Sequence, residues 1–311
     1  MKPLHDFRIA FIGYGEVGRI LAEDLRRQGV AVSAYDIKLD GAGELTLQQH
    51  AMQHGVRLVA SHTDAARGAD LVVSAVTASQ AVAVAEAAAP GLSSGSFFLD
   101  FNSASPGAKM RAAGIVNAAG GRYVEGAVMT SLQPYRIKVP LLLGGPDAAA
   151  LQPQLAALGF AARVADERLG VASATKMCRS IIIKGLEAMV IESFTTARHY
   201  GVEDAVIASL QETFPGIDWE KQAAYFFQRV IEHGRRRSEE VREVAVTVSE
   251  AGLKPHSAAG TAERQAWVAD LADAGVFGAR GAATFARSND WRVEADRILA
   301  HISAEASAAK D

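Results

Sequence analysis

The chain has one cysteine in 311 residues, Cys178, so no disulfide can form within it and no multi-cysteine metal cluster is available. No apolar run reaches the roughly 20 residues that a membrane-spanning helix needs. No charged n-region followed by a long apolar stretch opens it; strand-like sequence begins at about Phe7. It also lacks an excess of one charge. Lys and Arg number 32 against 35 Asp and Glu, a formal net charge of −3. That balance argues against a general nucleic-acid surface and a polybasic membrane anchor. A soluble cytoplasmic protein without nucleic-acid or membrane partners is expected. Hydrophobic residues make up 49%, enough for a sizeable core, and the length predicts two domains.

What is present begins at residues 8–18, R-I-A-F-I-G-Y-G-E-V-G. A short apolar run ends in Gly13, Gly15 and Gly18, and helix-forming sequence follows through Arg27. This is a strand, a glycine turn and a helix with G-x-G-x-x-G spacing. Gly13 suits a tight turn, Gly15 lets backbone N–H groups approach a pyrophosphate, and Gly18 lets the helix pack close to the strand. The helix N-terminus adds unpaired N–H groups and partial positive charge. A turn serving packing alone would show the same spacing, so the rest of the chain decides. Gly13, Tyr14, Gly15, Glu16, Val17 and Gly18 are the first candidate cofactor-binding residues.

A second strand, Val30–Tyr35, ends at Asp36, 18 positions past Gly18. There a carboxylate accepts from adenosine ribose hydroxyls and repels a 2′-phosphate, which favours NAD. Lys38 could pair with that phosphate, so NADP stays open. Leu45–His54 reads as a helix, Val56–Ala60 as a short strand, and Asp70–Val76 as a strand covered on both faces. Val76 and Thr77 at its end join the cofactor candidates. Ser79–Ala89 is helical, and Ser96–Asp100 is the next strand. Beyond it Asn102 and Ser103 are placed to face a ligand, whereas Ser105 before Pro106 reads as a helix cap. Arg122–Val128 and Val139–Leu143 flank a polar loop, Met129–Tyr135; a helix through Leu158 and a strand Phe160–Val164 follow. This alternation predicts a mostly parallel, doubly wound α/β sheet, a Rossmann-type domain over residues 1–168.

From residue 169 strand signals vanish, which predicts an all-α C-terminal domain over 169–311, joined by a long interdomain helix, Val171–His199. Lys176, Ser180, Ile183 and Glu187 fall on one stripe of that helix, with Arg179 about 60° to one side. A lysine so placed, once desolvated, can take a proton from a hydroxyl and return it; it can equally be a solvated or salt-bridged helix lysine. Helices follow at Glu203–Leu210 and Glu220–Ala251. If the latter is continuous, Gly234 and Arg237 lie on its apolar stripe, flanked by His233 and Glu240. Arg237 then meets a carboxylate or awaits an anion, unless Gly234 breaks the helix and releases it to solvent. Further helices are expected around Thr261–Ala274 and Ala282–Leu299, before a frayed Ala- and Ser-rich tail. His50 and His54 share a helix face at i, i+4, but the sequence shows no third ligand, so no metal site is expected.

G-Y-G-E-V-G, D-F-N-S-A-S-P, Y-V-E-G-A-V-M-T-S and L-G-V-A-S-A-T-K-M-C-R-S resemble, in this order, the four motifs of the β-hydroxyacid dehydrogenases. That family includes 6-phosphogluconate and 3-hydroxyisobutyrate dehydrogenases. The C-terminal I-I-I-K-G-L-E-A and H-G-R-R-R-S-E-E-V-R-E are similar to the uncharacterised helical domain of a phosphogluconate-dehydrogenase-like subgroup. The resemblance implies an NAD(P)-dependent dehydrogenase or reductase acting on CH–OH, with hydride passing between nicotinamide and a small hydroxy acid. It places Lys176 as the general acid/base, Asn102 and Ser103 beside the nicotinamide, and Met129, Thr130 and Ser131 in the substrate loop. It also implies dimers with interlocked helical domains, in which His233 and Arg237 complete a partner's site around a small anionic substrate. There are departures. Met129, Thr130 and Ser131 replace the usual Ser-Gly-Gly, Arg179 and Ser180 follow where an asparagine is usual, and Ile183 stands where phosphogluconate dehydrogenases have a proton-donating glutamate. Phosphogluconate is therefore not the expected substrate. An imine reductase or oxidoisomerase, or a non-catalytic NAD-binding sensor, are the alternatives.

Overall fold

The computed structural model of the chain describes residues 3, 6–41, 44–282, 285–286 and 288–308. It divides into two compact units, residues 1–178 and 179–311.

The first unit carries the sheet. In chain order it contains β1 (Arg8–Ile12), α1 (Glu16–Arg27), β2 (Ala31–Tyr35), α2 (Glu44–His54), β3 (Arg57–Leu58) and α3 (His62–Ala66). Then come β4 (Leu71–Ser74), α4 (Ala81–Ala88), β5 (Phe97–Asp100), α5 (Pro106–Ala118) and β6 (Arg122–Val128). It closes with α6 (Leu132–Tyr135), β7 (Leu141–Gly144), α7 (Ala148–Ala157), β8 (Ala162–Asp166) and the first turns of α8 (Val171–Tyr200). The strand order is β3-β2-β1-β4-β5-β6-β7-β8. All neighbours are parallel except β6 and β7. The mostly parallel, doubly wound sheet expected from the sequence is therefore present.

The near-continuous apolar strands have a direct cause: both faces are covered. Ile9 and Phe11 of β1 enter one apolar layer with Leu21 and Leu25 of α1. Ala10 and Ile12 enter the other, with Ala85 and Val116. β1 leads outward to β2 and β3 on one side, and the chain returns to β4 on the other. In open α/β sheets that reversal leaves a crevice beyond the strand ends where ligands bind. Here it opens past Ile12 and Ser74, which are paired in register.

The second unit holds the rest of α8, then α9 (Glu203–Thr213), α10 (Trp219–Glu250), α11 (His256–Asp273) and α12 (Trp291–Ala308). Gly201, with φ +65°, ends α8. Asp218 caps α10 by accepting from Lys221 N at 3.1 Å. Phe194, Phe227, Val268 and Trp291 form the core of this unit. α10 runs through Gly234 without a break. The missing Cβ serves packing instead: one on Gly234 would lie 2.8 Å from the Gln265 carbonyl oxygen of α11.

Several bounds differ: α6 lies in the stretch expected as a polar loop, and α11 starts at His256, ahead of the expected Thr261. A helix over Ala282–Leu299 is expected, but α12 starts only at Trp291. Asp290 turns the chain there, its carboxylate accepting from Arg292 N at 3.0 Å, the local competition by which Asp favours a helix start over a helix interior. Residues 283–284 and 287 of that expected helix, and 309–311 of the tail, lie outside the described residues. Among the described residues no helix is long and apolar enough to cross a membrane.

Candidate active site

Each glycine of the first turn has its own steric reason. Gly13 has φ +96°, and a Cβ there would lie 2.3 Å from the Ala75 oxygen. A Cβ on Gly18 would lie 2.2 Å from the Gly13 oxygen. Gly15 differs: it is extended, and a Cβ there would meet no atom within 4 Å. Gly15 precedes α1, whose N-terminus has no side-chain cap. Open space beside uncapped helical N–H groups is what an approaching phosphate requires. Glu16 is exposed in the first turn, and Val17 packs half-buried against the core.

Two candidates act from behind this turn. The Tyr14 ring is wholly buried, its hydroxyl 2.8 Å from His50 Nδ1, and burial raises the phenol's pKa. Only the backbone of Tyr14 lines the turn. Its N–H donates to Asp36 Oδ2 at 2.7 Å, while Asp36 Oδ1 accepts from Lys38 N at 2.9 Å. Asp36 is thereby fixed at the end of β2 with lone pairs left for ribose hydroxyls. These residues fit a dinucleotide.

At the neighbouring strand ends the Asn102 side chain is 3% exposed. Oδ1 accepts from Val76 N at 2.7 Å, and Nδ2 donates to Ser74 Oγ at 2.9 Å. It ties the end of β4 to the loop after β5. Val76 is half-buried and Thr77 exposed. Beneath lies a group not foreseen from sequence. Asp100 accepts from Lys109 Nζ at 2.9 Å, from Tyr123 Oη at 2.8 Å and from Asn102 N at 2.8 Å. Ser105 caps α5 through Ala108 N at 3.3 Å, as expected.

Lys176 was expected from the helical domain, but it lies in the first unit. Its Nζ donates to Ser103 Oγ at 2.6 Å. The start of α8 is fixed by Glu125. This wholly buried carboxylate accepts from Ala172 N at 2.8 Å and Ser173 Oγ at 3.0 Å. An anion at a helix N-terminus is favourable. Gly144, opposite Glu125 across β6 and β7, makes room for it: a Cβ there would lie 2.2 Å from Glu125 Oε1. The signal was present as an isolated acid inside an apolar strand. Met129 packs half-buried against Ala127, Leu142 and Ala172, and Thr130 and Ser131 are exposed. Arg179, exposed, and Ser180, half-buried, follow one turn after Lys176 on α8.

In the second unit Arg237 and Glu187, both buried, form an ion pair, with Arg237 Nε donating to Glu187 Oε2 at 3.1 Å. Gln265 Nε2 also donates to Glu187, at 3.1 Å. Of the alternatives for Arg237, the paired one is realised. His233 is half-buried, with its pKa lowered by desolvation. Lys184 donates to Glu240 at 2.6 Å, and burial lowers its pKa. Glu187→Ala is expected to cost about 3–5 kcal/mol in urea unfolding, because it strands a buried guanidinium. An apolar replacement of both partners should recover most of that loss.

Residues 8–159 match the family model described as the NAD binding domain of 6-phosphogluconate dehydrogenase. Residues 197–268 match a domain of unknown function, DUF1932. A conserved hypothetical protein from Sinorhizobium meliloti 1021 is 37% identical, with 94% of this chain and 96% of that one covered and a TM-score of 0.72. A conserved protein of unknown function, described as structurally similar to 3-hydroxyacid dehydrogenases, is 28% identical, with coverages of 86% and 99% and a TM-score of 0.67. The 3-hydroxyisobutyrate dehydrogenase of Mycobacterium tuberculosis, solved with L-serine, shares the fold at 17% identity, with coverages of 86% and 95% and a TM-score of 0.69.

Proposed function

Since the chain belongs to the family that joins the NAD binding domain of 6-phosphogluconate dehydrogenase to a helical domain of unknown function, we propose that it is an NAD(P)-dependent oxidoreductase. Its substrate is a small 3-hydroxy acid or the matching carbonyl compound. The observation that carries this reading is the 2.6 Å hydrogen bond from Lys176 to Ser103, at the same sheet edge as the glycine turn. The bound dinucleotide supplies the hydride acceptor or donor. The first turn of α1 holds its phosphates, and Asp36, by repelling a 2′-phosphate, makes NAD the preferred form.

Lys176 handles the proton. As the neutral amine it takes the proton from the substrate hydroxyl while that carbon is oxidised. In the opposite direction the ammonium returns it to the oxygen. Ser103 accepts from Nζ and holds the amine in place, and Glu125 fixes the helix that carries it. The exposed hydroxyls of Thr130 and Ser131 receive the substrate carboxylate. The test mixes the protein with NAD or NADP and a panel of 3-hydroxy acids, following absorbance of the reduced cofactor. Turnover with a 3-hydroxy acid, faster with NAD, is expected. No turnover on the panel, with reduced cofactor consumed by cyclic imines instead, would replace this reading with an imine reductase.

A further inference from the structure

Behind the glycine turn, α1 and α2 bring together three side chains that the activity does not use. His50 and His54 stand one turn apart on α2, their ring centroids 4.5 Å apart. Glu23 reaches them from α1, with Oε1 3.0 Å from His50 Nε2. One donor atom from each lies within 4.8 Å of the others, and all three residues are half-buried. The sequence offers only the histidine pair; the packing of α1 on α2 adds the carboxylate. We propose that Glu23, His50 and His54 form a binding site for a divalent transition-metal ion, zinc or nickel being the fitting class.

Two imidazoles and one carboxylate are a common set of three protein ligands for zinc, with a fourth position left to water. Histidines at i, i+4 on a helix converge on one ion without backbone change. Zinc bonds of about 2.1 Å place tetrahedral donor atoms about 3.4 Å apart. His50 Nε2 and Glu23 Oε1, 3.0 Å apart, are already within that spacing, and closing the whole set from 4.8 Å takes a movement of the His54 side chain.

The carboxylate is oriented for the task. Glu23 Oε2 is held by Arg136 at 2.7 Å and by Arg27 at 3.3 Å, which leaves Oε1 aimed at the histidines. The far nitrogen of His50 also has a partner. Nδ1 lies 2.8 Å from Tyr14 Oη, and a ligating histidine characteristically makes such an outer hydrogen bond. Metal at Nε2 requires only that the imidazole proton sit on Nδ1, where the Tyr14 oxygen accepts it. Tyr14 belongs to the glycine turn, so an occupied site would stiffen that turn from behind.

The test is calorimetric titration of chelator-stripped protein with Zn²⁺ or Ni²⁺ alone, and with Mg²⁺ as a hard-cation control. One saturable site for Zn²⁺ and Ni²⁺, absent for Mg²⁺, is expected. His54→Ala and His54→Gln leave the Tyr14–His50–Glu23 contacts in place and should weaken binding at least tenfold, an effect of about the size seen on disturbing a metal's supporting shell or more. Circular dichroism melts of the metal-free variants confirm that each is folded. Absence of saturable Zn²⁺ and Ni²⁺ binding in the unmodified protein, or unchanged affinity in both folded His54 variants, would overturn the proposal.

Discussion

Lys176→Ala is expected to lower kcat by about 10²- to 10⁴-fold, the usual contribution of a positioned acid/base group, while dinucleotide affinity stays unchanged. The separation follows from the geometry. Lys176 Nζ touches Ser103 Oγ, whereas the glycine turn and Asp36 belong to β1, α1 and β2. Removing the amine therefore deletes the proton carrier without disturbing the phosphate cradle. Lys176→Arg should not rescue, because a guanidinium does not give up its proton in proteins. Ser103→Ala should fall between the unmodified protein and Lys176→Ala, since the proton-carrying amine remains but loses its orienting partner. Steady-state rates and a fluorescence titration of the dinucleotide measure the two effects independently. Wild-type turnover in Lys176→Ala would remove the lysine from the mechanism.

Gly15→Val is expected to abolish dinucleotide binding, raising Kd at least 100-fold, or about 2.7 kcal/mol, with little change in Tm. A Cβ at Gly15 meets no atom of the free protein within 4 Å, so the fold tolerates it. The same open space is where a pyrophosphate must approach the first turn of α1. Gly18→Ala should behave in the opposite sense. Its Cβ would lie 2.2 Å from the Gly13 oxygen, and backbone must move, so Tm falls even in the absence of ligand. Ligand titration reads the first effect and thermal melts the second. If Gly15→Val bound the dinucleotide normally, the turn would be a packing feature only.

The glycine pattern, the sheet and most element boundaries were legible in the sequence because short-range rules govern them. Gly13 needs its positive φ, and Ser105 before Pro106 caps a helix whatever surrounds it. The apolar runs of β1 and β4 announce a sheet covered on both faces. Asp36 was legible for a related reason, since the spacing from strand to helix to strand is nearly constant in such a unit. The start of α12 was less legible, because Asp290 overrides a helix-compatible run by a hydrogen bond of its own.

The sequence by itself determined which residues the turn, the strand ends and the long helix would carry, because local sterics and periodicity leave few choices there. Only the tertiary structure decided what those residues face. It tied Asn102 to Val76 and Ser74, placed Glu125 under the start of α8, and gave Arg237 to Glu187 rather than to solvent. It also brought Glu23 to His50 and His54. Each of these contacts joins positions more than 25 residues apart, and buried polar groups take whichever partner the packing supplies. That choice depends on how the elements meet, and no spacing along the chain encodes it.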